Sequence, residues 1–319
     1  MTRTFEAKPT DLGPEPISIG LIGPPGGGKT KSALRLADGM RRVRHGEVVV
    51  IDTENRAKKY RGDHKFTWVP FGAPFRSEDF LAAIQQYDKP TTAAIIIDSM
   101  SDEHEGEGGH LAWHDAEVTR MGGNDWAAWS KPSASRRAFK SGFLRVMTPL
   151  IFTFRAREKT KQIQDGAKKK VVNIGFQPVA PLEIVHSLDL TCILPSNADG
   201  IPQWKSDKAG EDFIIKLPDY LKPFVRDGQL NEDMGEAFAR WAAGGNPAPS
   251  TDQQDDKTAA EWDVELGEAA KNGTKALQAL WITIPREHKE ILEAAKNNRH
   301  KPTAQEADES FRASVEVPQ

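Results

Sequence analysis

The chain has 319 residues, of which 38% are hydrophobic and 28% charged, and its net charge is −3. It is long enough for one large or two smaller globular domains. No stretch of the sequence approaches the ~18 uninterrupted apolar residues of a membrane helix, and the first residues lack the apolar core of a signal peptide. The single cysteine, Cys192, excludes an internal disulfide and favours a reducing, cytoplasmic compartment.

The first elements of the chain form a strand, a glycine-rich loop and a helix. Residues 1–16 hold three prolines and no periodicity, which predicts a flexible arm. Residues 17–22 form an apolar run that predicts a buried strand, and an amphipathic pattern predicts a helix over residues 31–43. The loop between them consists of Gly23, Pro24, Pro25, Gly26, Gly27, Gly28, Lys29 and Thr30.

This loop has the G-x-x-x-x-G-K-T pattern of a phosphate-binding P-loop. Glycines allow successive backbone N–H groups to approach phosphate oxygens, and the dipole of the following helix favours the same anion. Lys29 is expected to contact the β- and γ-phosphates, and the Thr30 hydroxyl is expected to bind Mg²⁺. The sequence therefore predicts a site for ATP and Mg²⁺.

Two later apolar runs, residues 48–52 and 93–98, predict strands that end in acids. Asp98 ends the second run, at the sheet edge where the P-loop also lies, so it is expected to hold Mg²⁺ together with Thr30. Many P-loop ATPases place a glutamate directly after this aspartate, but the next residue here is Ser99. Glu54, just beyond the first run, is therefore predicted to activate water.

Three other acids near these strand ends are alternatives to Glu54. Asp102 and Glu103 are reserve candidates for the catalytic acid, and Asp52 is expected to hydrogen-bond the turn that follows its strand.

The remaining patterns up to residue 243 alternate between strands and helices. Further strands are predicted at 66–71, 150–154 and 188–194, helices at 77–88, 126–147 and 232–243, and a hairpin at 202–205 and 212–216. This alternation predicts an α/β domain over residues 17–243, with a mainly parallel sheet flanked by helices.

The last part of the chain has a different composition. Residues 244–257 are rich in Gly, Pro, Ser and Asp, which predicts a linker. Residues 258–319 predict a small acidic helical module, with breaks at Asn272-Gly273 and at Pro285. Its apolar faces are expected to come from Trp262, Leu266, Leu277, Leu280, Trp281, Ile284, Ile291 and Leu292.

The two strand motifs resemble a known group of proteins. V-V-V-I-D-T-E, ending at Glu54, and I-I-I-D-S, containing Asp98, resemble the core of RecA-like recombination ATPases. More closely, residues 17–225 are similar to phage-encoded RecA-like ATPases grouped with Sak-type single-strand annealing proteins. The resemblance implies a RecA-like fold, binding of ATP, Mg²⁺ and single-stranded DNA, and assembly into rings or filaments. It assigns phosphate and Mg²⁺ binding to Lys29 and Thr30, metal binding to Asp98 and water activation to Glu54.

The chain departs from that pattern after the strand at 150–154. RecA recombinases carry a polar amide there that senses the γ-phosphate, whereas this chain has Arg155. An arginine at this position either contacts the γ-phosphate, in cis or across a subunit interface, or pairs with a carboxylate. It therefore serves as a third candidate catalytic residue, beside Lys29 and Glu54.

The segment 155–172 corresponds to a loop that faces DNA in RecA-like proteins. Its candidate DNA contacts are Lys159, Lys161, Lys168, Lys169 and Lys170. No aromatic residue lies within the segment, which favours contacts with the phosphate backbone and little sequence preference. The alternative is a solvated basic face. The run Arg136-Arg137 with Lys140 is a weaker candidate.

Aromatic and histidine side chains cluster between residues 104 and 129. Trp113, Trp126 and Trp129 are expected to anchor loops or a subunit contact rather than to stack on bases. A zinc site at His104, His110 and His114 is disfavoured because their spacing is irregular and no cysteine accompanies them.

The leading hypothesis is a Mg²⁺-dependent RecA-like ATPase that acts on single-stranded DNA in recombination, annealing or repair. An alternative is a nucleotide-gated adaptor that recruits replication or repair proteins through its C-terminal module. A small-molecule kinase would also need a distinct acceptor pocket, and the sequence identifies none. A phage origin would place the protein in the host cytoplasm.

Overall fold

A computed structural model describes residues 14–165, 168–244, 258–284 and 286–315. The chain divides into two compact units, Met1–Ala248 and Pro249–Gln319. Most of the predicted N-terminal arm, most of the predicted linker and the predicted break at Pro285 lie outside the described residues.

The first unit is built on a sheet of seven strands. The strands are β1 (Ser18–Gly23), β2 (Glu47–Asp52), β3 (Thr67–Pro70), β4 (Thr92–Asp98), β5 (Leu150–Asp165), β6 (Lys168–Pro178) and β7 (Leu190–Ile193). Their order is β3-β2-β4-β5-β1-β7, all parallel, while β6 pairs with β5 in the antiparallel direction. Parallel strands end at one edge of the sheet, so β1, β2 and β4 deliver the residues after Gly23, Asp52 and Asp98 to the same place.

The helices of this unit are α1 (Lys29–Arg44), α2 (Ser77–Tyr87), α3 (Ser101–Glu105), α4 (His110–Arg120), α5 (Asp125–Ala128), α6 (Ser130–Phe143), α7 (Leu182–Val185), α8 (Ala209–Asp212) and α9 (Glu232–Ala242). Short 3₁₀ turns lie at Ala57–Tyr60 and Lys222–Phe224.

The sheet separates two hydrophobic cores, one on each face. Alternate residues of β2 show the division, since Val48 and Val50 belong to one core and Val49 and Ile51 to the other. Helices α1 and α9 cover the first face, and α2 and α6 cover the second. The predicted α/β class, with a mostly parallel sheet flanked by helices, is confirmed.

Three local predictions are wrong. The hairpin predicted at 202–205 and 212–216 does not form, because Gln203 and Lys216 each bridge to β7 instead of to each other. The helix predicted over 126–147 is two helices, α5 and α6, and residues 144–147 at its predicted end are not helical. The basic segment predicted as a loop continues β5 and pairs with β6, forming a long antiparallel ribbon.

The second unit consists, in its described residues, of helices joined by short breaks. Its elements are α10 (Ala259–Lys271), α11 (Thr274–Thr283), α12 (Arg286–Ala295), a π-helical turn (Lys296–His300) and α13 (Lys301–Val315). Its core contains Trp262, Leu266, Leu277 and Leu292. Ile291, predicted to face this core, is 66% exposed.

The predicted break at Asn272-Gly273 is observed between α10 and α11. Gly273 has φ +91°, a conformation that residues with a Cβ rarely adopt. Within the described ranges, no helix combines the length and apolarity that a membrane crossing requires.

Candidate nucleotide-binding site

The P-loop connects β1 to α1 with a backbone that only glycines permit. Gly26 and Gly28 have φ values of +82° and +87°. A Cβ atom on Gly23 or Gly27 would lie 2.2 or 2.4 Å from the carbonyl oxygen of Leu194, so neither position can carry a side chain without displacing that backbone. Helix α1 has no side-chain cap, which leaves the N–H groups of its first turn for an anion.

The Lys29 side chain folds back across this loop. Its Nζ donates hydrogen bonds to the backbone oxygens of Gly23 and Pro24, both at 2.8 Å. Burial lowers the pKa of Lys29, and the carboxylates of Asp98 and Glu54 oppose that effect. A half-buried cation whose close partners are neutral carbonyl groups favours an anionic ligand.

Asp98 and Thr30 meet at the ends of β4 and the P-loop. The Thr30 hydroxyl donates to Asp98 Oδ2 at 2.7 Å, and the Thr153 hydroxyl, from neighbouring β5, donates to Oδ1 at 2.5 Å. Burial raises the pKa of Asp98, whereas the two hydroxyl bonds act in the opposite direction. A carboxylate and a hydroxyl are oxygen donors of the kind that Mg²⁺ prefers.

Glu54 lies beyond the end of β2, beside this pair. Its side chain is 29% exposed, and Oε1 lies 3.5 Å from a guanidinium nitrogen of Arg155. Burial raises the pKa of Glu54, and the charge of Asp98 raises it further. A carboxylate with a raised pKa accepts a proton more readily than an ordinary glutamate does, which is the property of a general base.

A single cavity of about 760 Å³ brings these groups together. The cavity is lined by Gly26, Gly28, Lys29, Thr30, Glu54 and Asp98, and by Arg155 and Asp102. Its volume falls within the range of small-molecule and cofactor sites. The glycine cradle, the half-buried Lys29 ammonium group and the hydroxyl–carboxylate pair fit a triphosphate with Mg²⁺.

A comparison with protein families identifies the fold around this cavity. The model of an AAA domain family, AAA_24, matches residues 15–213, which is more than half of the chain. The chain belongs to this AAA domain family. No curated protein matches the chain. The recombinase resemblance is narrower than the family and stays a prediction.

Sequence reasoning missed several residues that line the same cavity in this AAA domain. Arg56 immediately precedes the 3₁₀ turn, Lys59 and Tyr60 lie on it, and Phe75 precedes α2. Phe75 stacks on Phe71, with ring centroids 6.0 Å apart. Proximity to Glu54 in the sequence could have indicated the first three, but nothing in the sequence signals Phe75.

The other acids of the AAA domain site are held by polar partners. Asp102 accepts a hydrogen bond from the Thr53 hydroxyl at 2.5 Å and from Arg155 at 2.7 Å. Asp52 accepts bonds from the backbone N–H groups of Glu54 and Ala57, as predicted for a residue that closes its turn.

Glu103 is fully buried and makes a bidentate ion pair with Arg136, with both distances 2.9 Å. This pair removes Glu103 from the candidates for the catalytic acid. It also makes Arg136 wrong as a DNA contact, since a residue only 6% exposed is not available to a phosphate backbone.

Arg155 connects the cavity to an acidic group of side chains. It pairs with Asp102 at 2.7 Å and lies 3.4 Å from Glu105, in addition to its contact with Glu54. The structure thus shows the carboxylate pairing, and the same side chain lines the cavity. Contact with a γ-phosphate stays a prediction.

The candidate DNA contacts lie on the β5–β6 ribbon. Lys159, Lys161, Lys169 and Lys170 are exposed, and Lys168 is the first residue of β6. They therefore form part of a structured element that continues the strand carrying Arg155.

The tryptophan and histidine cluster is a stacking arrangement in the AAA domain. His114 and Trp129 stack with ring centroids 3.7 Å apart, and Arg76 lies 4.0 Å from the Trp113 ring centroid. Burial and the Arg136 charge lower the pKa of His110 to about 4, so it is neutral near pH 7. Among the described residues, no group of three or more His, Cys, Asp or Glu could hold a metal ion. Trp126 is 89% exposed.

Proposed function

We propose that this AAA-family protein is a Mg²⁺-dependent, RecA-like ATPase that acts on single-stranded DNA in recombination, annealing or repair. The supporting observation is one cavity that gathers the P-loop, Lys29, the Thr30–Asp98 pair and Glu54. Together these groups provide an anion cradle, a pair of metal-binding oxygens and a base.

Each residue has a distinct role in the proposed hydrolysis. The backbone of residues 23–28 and Lys29 bind the phosphates of the ATP substrate. Thr30 and Asp98 would hold Mg²⁺, which when bound neutralises charge on the phosphate oxygens. Glu54 takes the proton of the attacking water, and its raised pKa suits it to that transfer.

Arg155 would stabilise the negative charge that develops on the transferred phosphate. In the described residues its guanidinium is already neutralised by Asp102 and Glu105, so this role requires at least one of those contacts to loosen. Arg155 lies on the strand that continues into the ribbon. A loosened Arg155 contact would therefore affect both the nucleotide cavity and the ribbon.

The proposed DNA-binding surface is the ribbon with Lys159, Lys161, Lys168, Lys169 and Lys170. Its support is the exposure of four of these lysines on the part of β5 and β6 that pairs beyond the parallel strands. Lysines without neighbouring aromatic residues favour contacts with phosphates over contacts with bases. Assembly into a ring or filament and a cytoplasmic location, in the host if phage-encoded, belong to the same proposal.

An ATPase assay with and without single-stranded DNA tests the proposal. We expect DNA to raise the hydrolysis rate, and the double variant Lys169→Ala/Lys170→Ala to lose that stimulation while it keeps the basal rate. The slope of log Kobs against log salt for DNA binding should fall by about 0.7 for each lost phosphate contact. The matched control, Lys205→Ala/Lys222→Ala, removes the same charge from exposed positions elsewhere in the unit. An ATP hydrolysis rate that is the same with and without single-stranded DNA would contradict the proposed DNA role.

A second candidate function is the nucleotide-gated adaptor, in which the C-terminal unit recruits a replication or repair protein. It is supported by the separate core of this unit, formed by residues such as Trp262, Leu266 and Leu277. Loss of partner binding on removal of residues 249–319, with ATPase activity unchanged, would favour this function over the first.

A further inference from the structure

The C-terminal unit contains a cavity of about 320 Å³ that no part of the ATPase proposal uses. Its walls come from α11, the π-helical turn and α13, and the residues that decide its character are Leu277, Trp281, Lys296 and Lys301. It has the volume of a small ligand pocket rather than of a surface crease.

The inner wall of this cavity is apolar. Leu277 is 3% exposed and belongs to the core of the unit, and Trp281 packs against that core. An apolar side chain that entered the cavity would therefore contact a preformed hydrophobic surface, and burial of its CH₂ groups there would favour binding.

The rim of the cavity is cationic. The Lys296 ammonium group lies 3.8 Å from the centroid of the Trp281 ring, and Lys301 lines the same opening. Burial lowers the pKa of Lys296, the charges of Lys301 and Lys289 lower it further, and Glu293 opposes them. Neither Lys296 nor Lys301 takes part in the ion pairs between described residues of this unit, such as Arg299–Asp263 and Lys271–Glu268.

This concentration of cations contrasts with the surrounding sequence. Residues 245–319 hold fourteen acidic and nine Lys or Arg residues, a net charge of −5. Charges farther away than the ~8 Å Debye length of physiological salt are largely screened, so a ligand at the rim responds mainly to Lys296 and Lys301, with Glu293 opposing and Lys289 adding to their charge.

The backbone at the rim is also irregular. Lys296 begins a π-helical turn that ends at His300, between the α-helices α12 and α13. His300 is buried, and its Nε2 lies 2.8 Å from Asp263 Oδ1 on α10, which fixes the turn to the core. π-Helical turns are rare in proteins and occur frequently at functional sites.

We propose that this cavity binds an acidic peptide segment of a partner protein, with one apolar side chain in the cavity and carboxylates at Lys296 and Lys301. A peptide fits better than a nucleic acid, because Lys296 already covers a face of the Trp281 ring that a base would need for stacking. The proposal gives the adaptor function a binding site, and it does not depend on the ATPase assignment.

Fluorescence anisotropy with the full-length protein tests this proposal. The probe is a fluorescein-labelled peptide in which one phenylalanine is flanked on each side by three aspartates. We expect it to bind, and Lys296→Glu and Lys301→Glu each to weaken binding about tenfold or more, since each variant places like charges together. Replacement of the phenylalanine by serine should abolish binding.

The matched control is Lys275→Glu, which makes the same charge change at an exposed position of α11 outside the cavity. It should leave the affinity unchanged, and Lys296→Met should weaken binding while it keeps the packing on Trp281. The proposal would be overturned if Lys275→Glu lowered the peptide affinity as much as the cavity variants do, or if the peptide bound equally well without its phenylalanine. Displacement of the peptide by a single-stranded oligonucleotide would also overturn it. ATPase activity, measured on the same samples, reports separately on the first unit.

Discussion

The substitution Glu54→Gln separates catalysis from binding at the proposed site. The amide keeps the size of the side chain but cannot accept the proton of the attacking water at neutral pH. Lys29, Thr30 and Asp98 are unchanged, so the variant should still bind ATP with Mg²⁺.

Glu54→Gln should greatly lower the hydrolysis rate but hardly change the stability of the fold. A general base contributes a factor of about 10² to 10⁴ to the rate, which corresponds to roughly 2.7–5.5 kcal/mol of activation free energy. Glu54 lies 3.5 Å from Arg155 and 3.9 Å from Arg56, and its side chain is 29% exposed. Partly exposed ion pairs of this kind contribute less than about 1 kcal/mol to the free energy of unfolding, so the variant should fold normally.

Steady-state ATP hydrolysis and binding of a fluorescent ATP analogue measure the two effects. The matched control is Glu105→Gln, since Glu105 also lies near Arg155, at 3.4 Å, but does not line the cavity. Glu105→Gln should keep most of the activity. A Glu54→Gln protein with a rate within about threefold of wild type, or an equal loss in the control, would refute the assignment of Glu54 as the base.

Three further predictions concern the loop, the buried ion pair and the pH dependence. Gly27→Ala should lower the free energy of unfolding by about 1–3 kcal/mol in urea titrations, because the added Cβ meets a backbone carbonyl; Gly62→Ala, with open space around it, should not. Arg136→Met should lower it by about 3–5 kcal/mol, because a buried carboxylate loses its partner. The exposed neighbour Arg137→Met should change it by less than about 0.5 kcal/mol, and an equal effect would contradict the buried pair. Since the base acts when ionised and burial raises the pKa of Glu54 above 4.5, the hydrolysis rate should fall as the pH drops through that raised value; an acid limb centred at or below 4.5 in the pH–rate profile would contradict this.

The elements nearest the P-loop could be predicted from the sequence because their signals are local. Continuous apolar runs gave the central strands, and β4, predicted at 93–98, is observed at Thr92–Asp98. The carboxyl ends of parallel strands meet at one edge, so topology alone brought Glu54, Asp98 and the P-loop to one cavity.

The ribbon could not be predicted in the same way. Beyond Ala156 the strand leaves the core, and residues such as Lys159 and Lys161 are exposed, so no apolar pattern marks the continuation. The predicted hairpin at 202–205 and 212–216 failed for the opposite reason. Each half has strand-like residues, but Gln203 and Lys216 find their partners on β7.

Ion pairs between residues far apart in the sequence could not be predicted either. Glu103 and Arg136 are 33 positions apart, and neither residue type predicts burial by itself. The same holds for Arg155, whose partners Asp102 and Glu105 lie on α3 and in a different part of the sequence. Only the packing of α3 and α6 against the sheet shows which charges meet.

Calorimetric titration of the full-length protein with ATP tests the central claim most directly. We predict one nucleotide bound per chain, tighter with Mg²⁺ than without it. The Mg²⁺ effect should be lost in Asp98→Asn, and binding should be lost in Lys29→Ala. A wild-type protein that binds no ATP with Mg²⁺ present, or a Lys29→Ala protein that binds as tightly as wild type, would contradict the account.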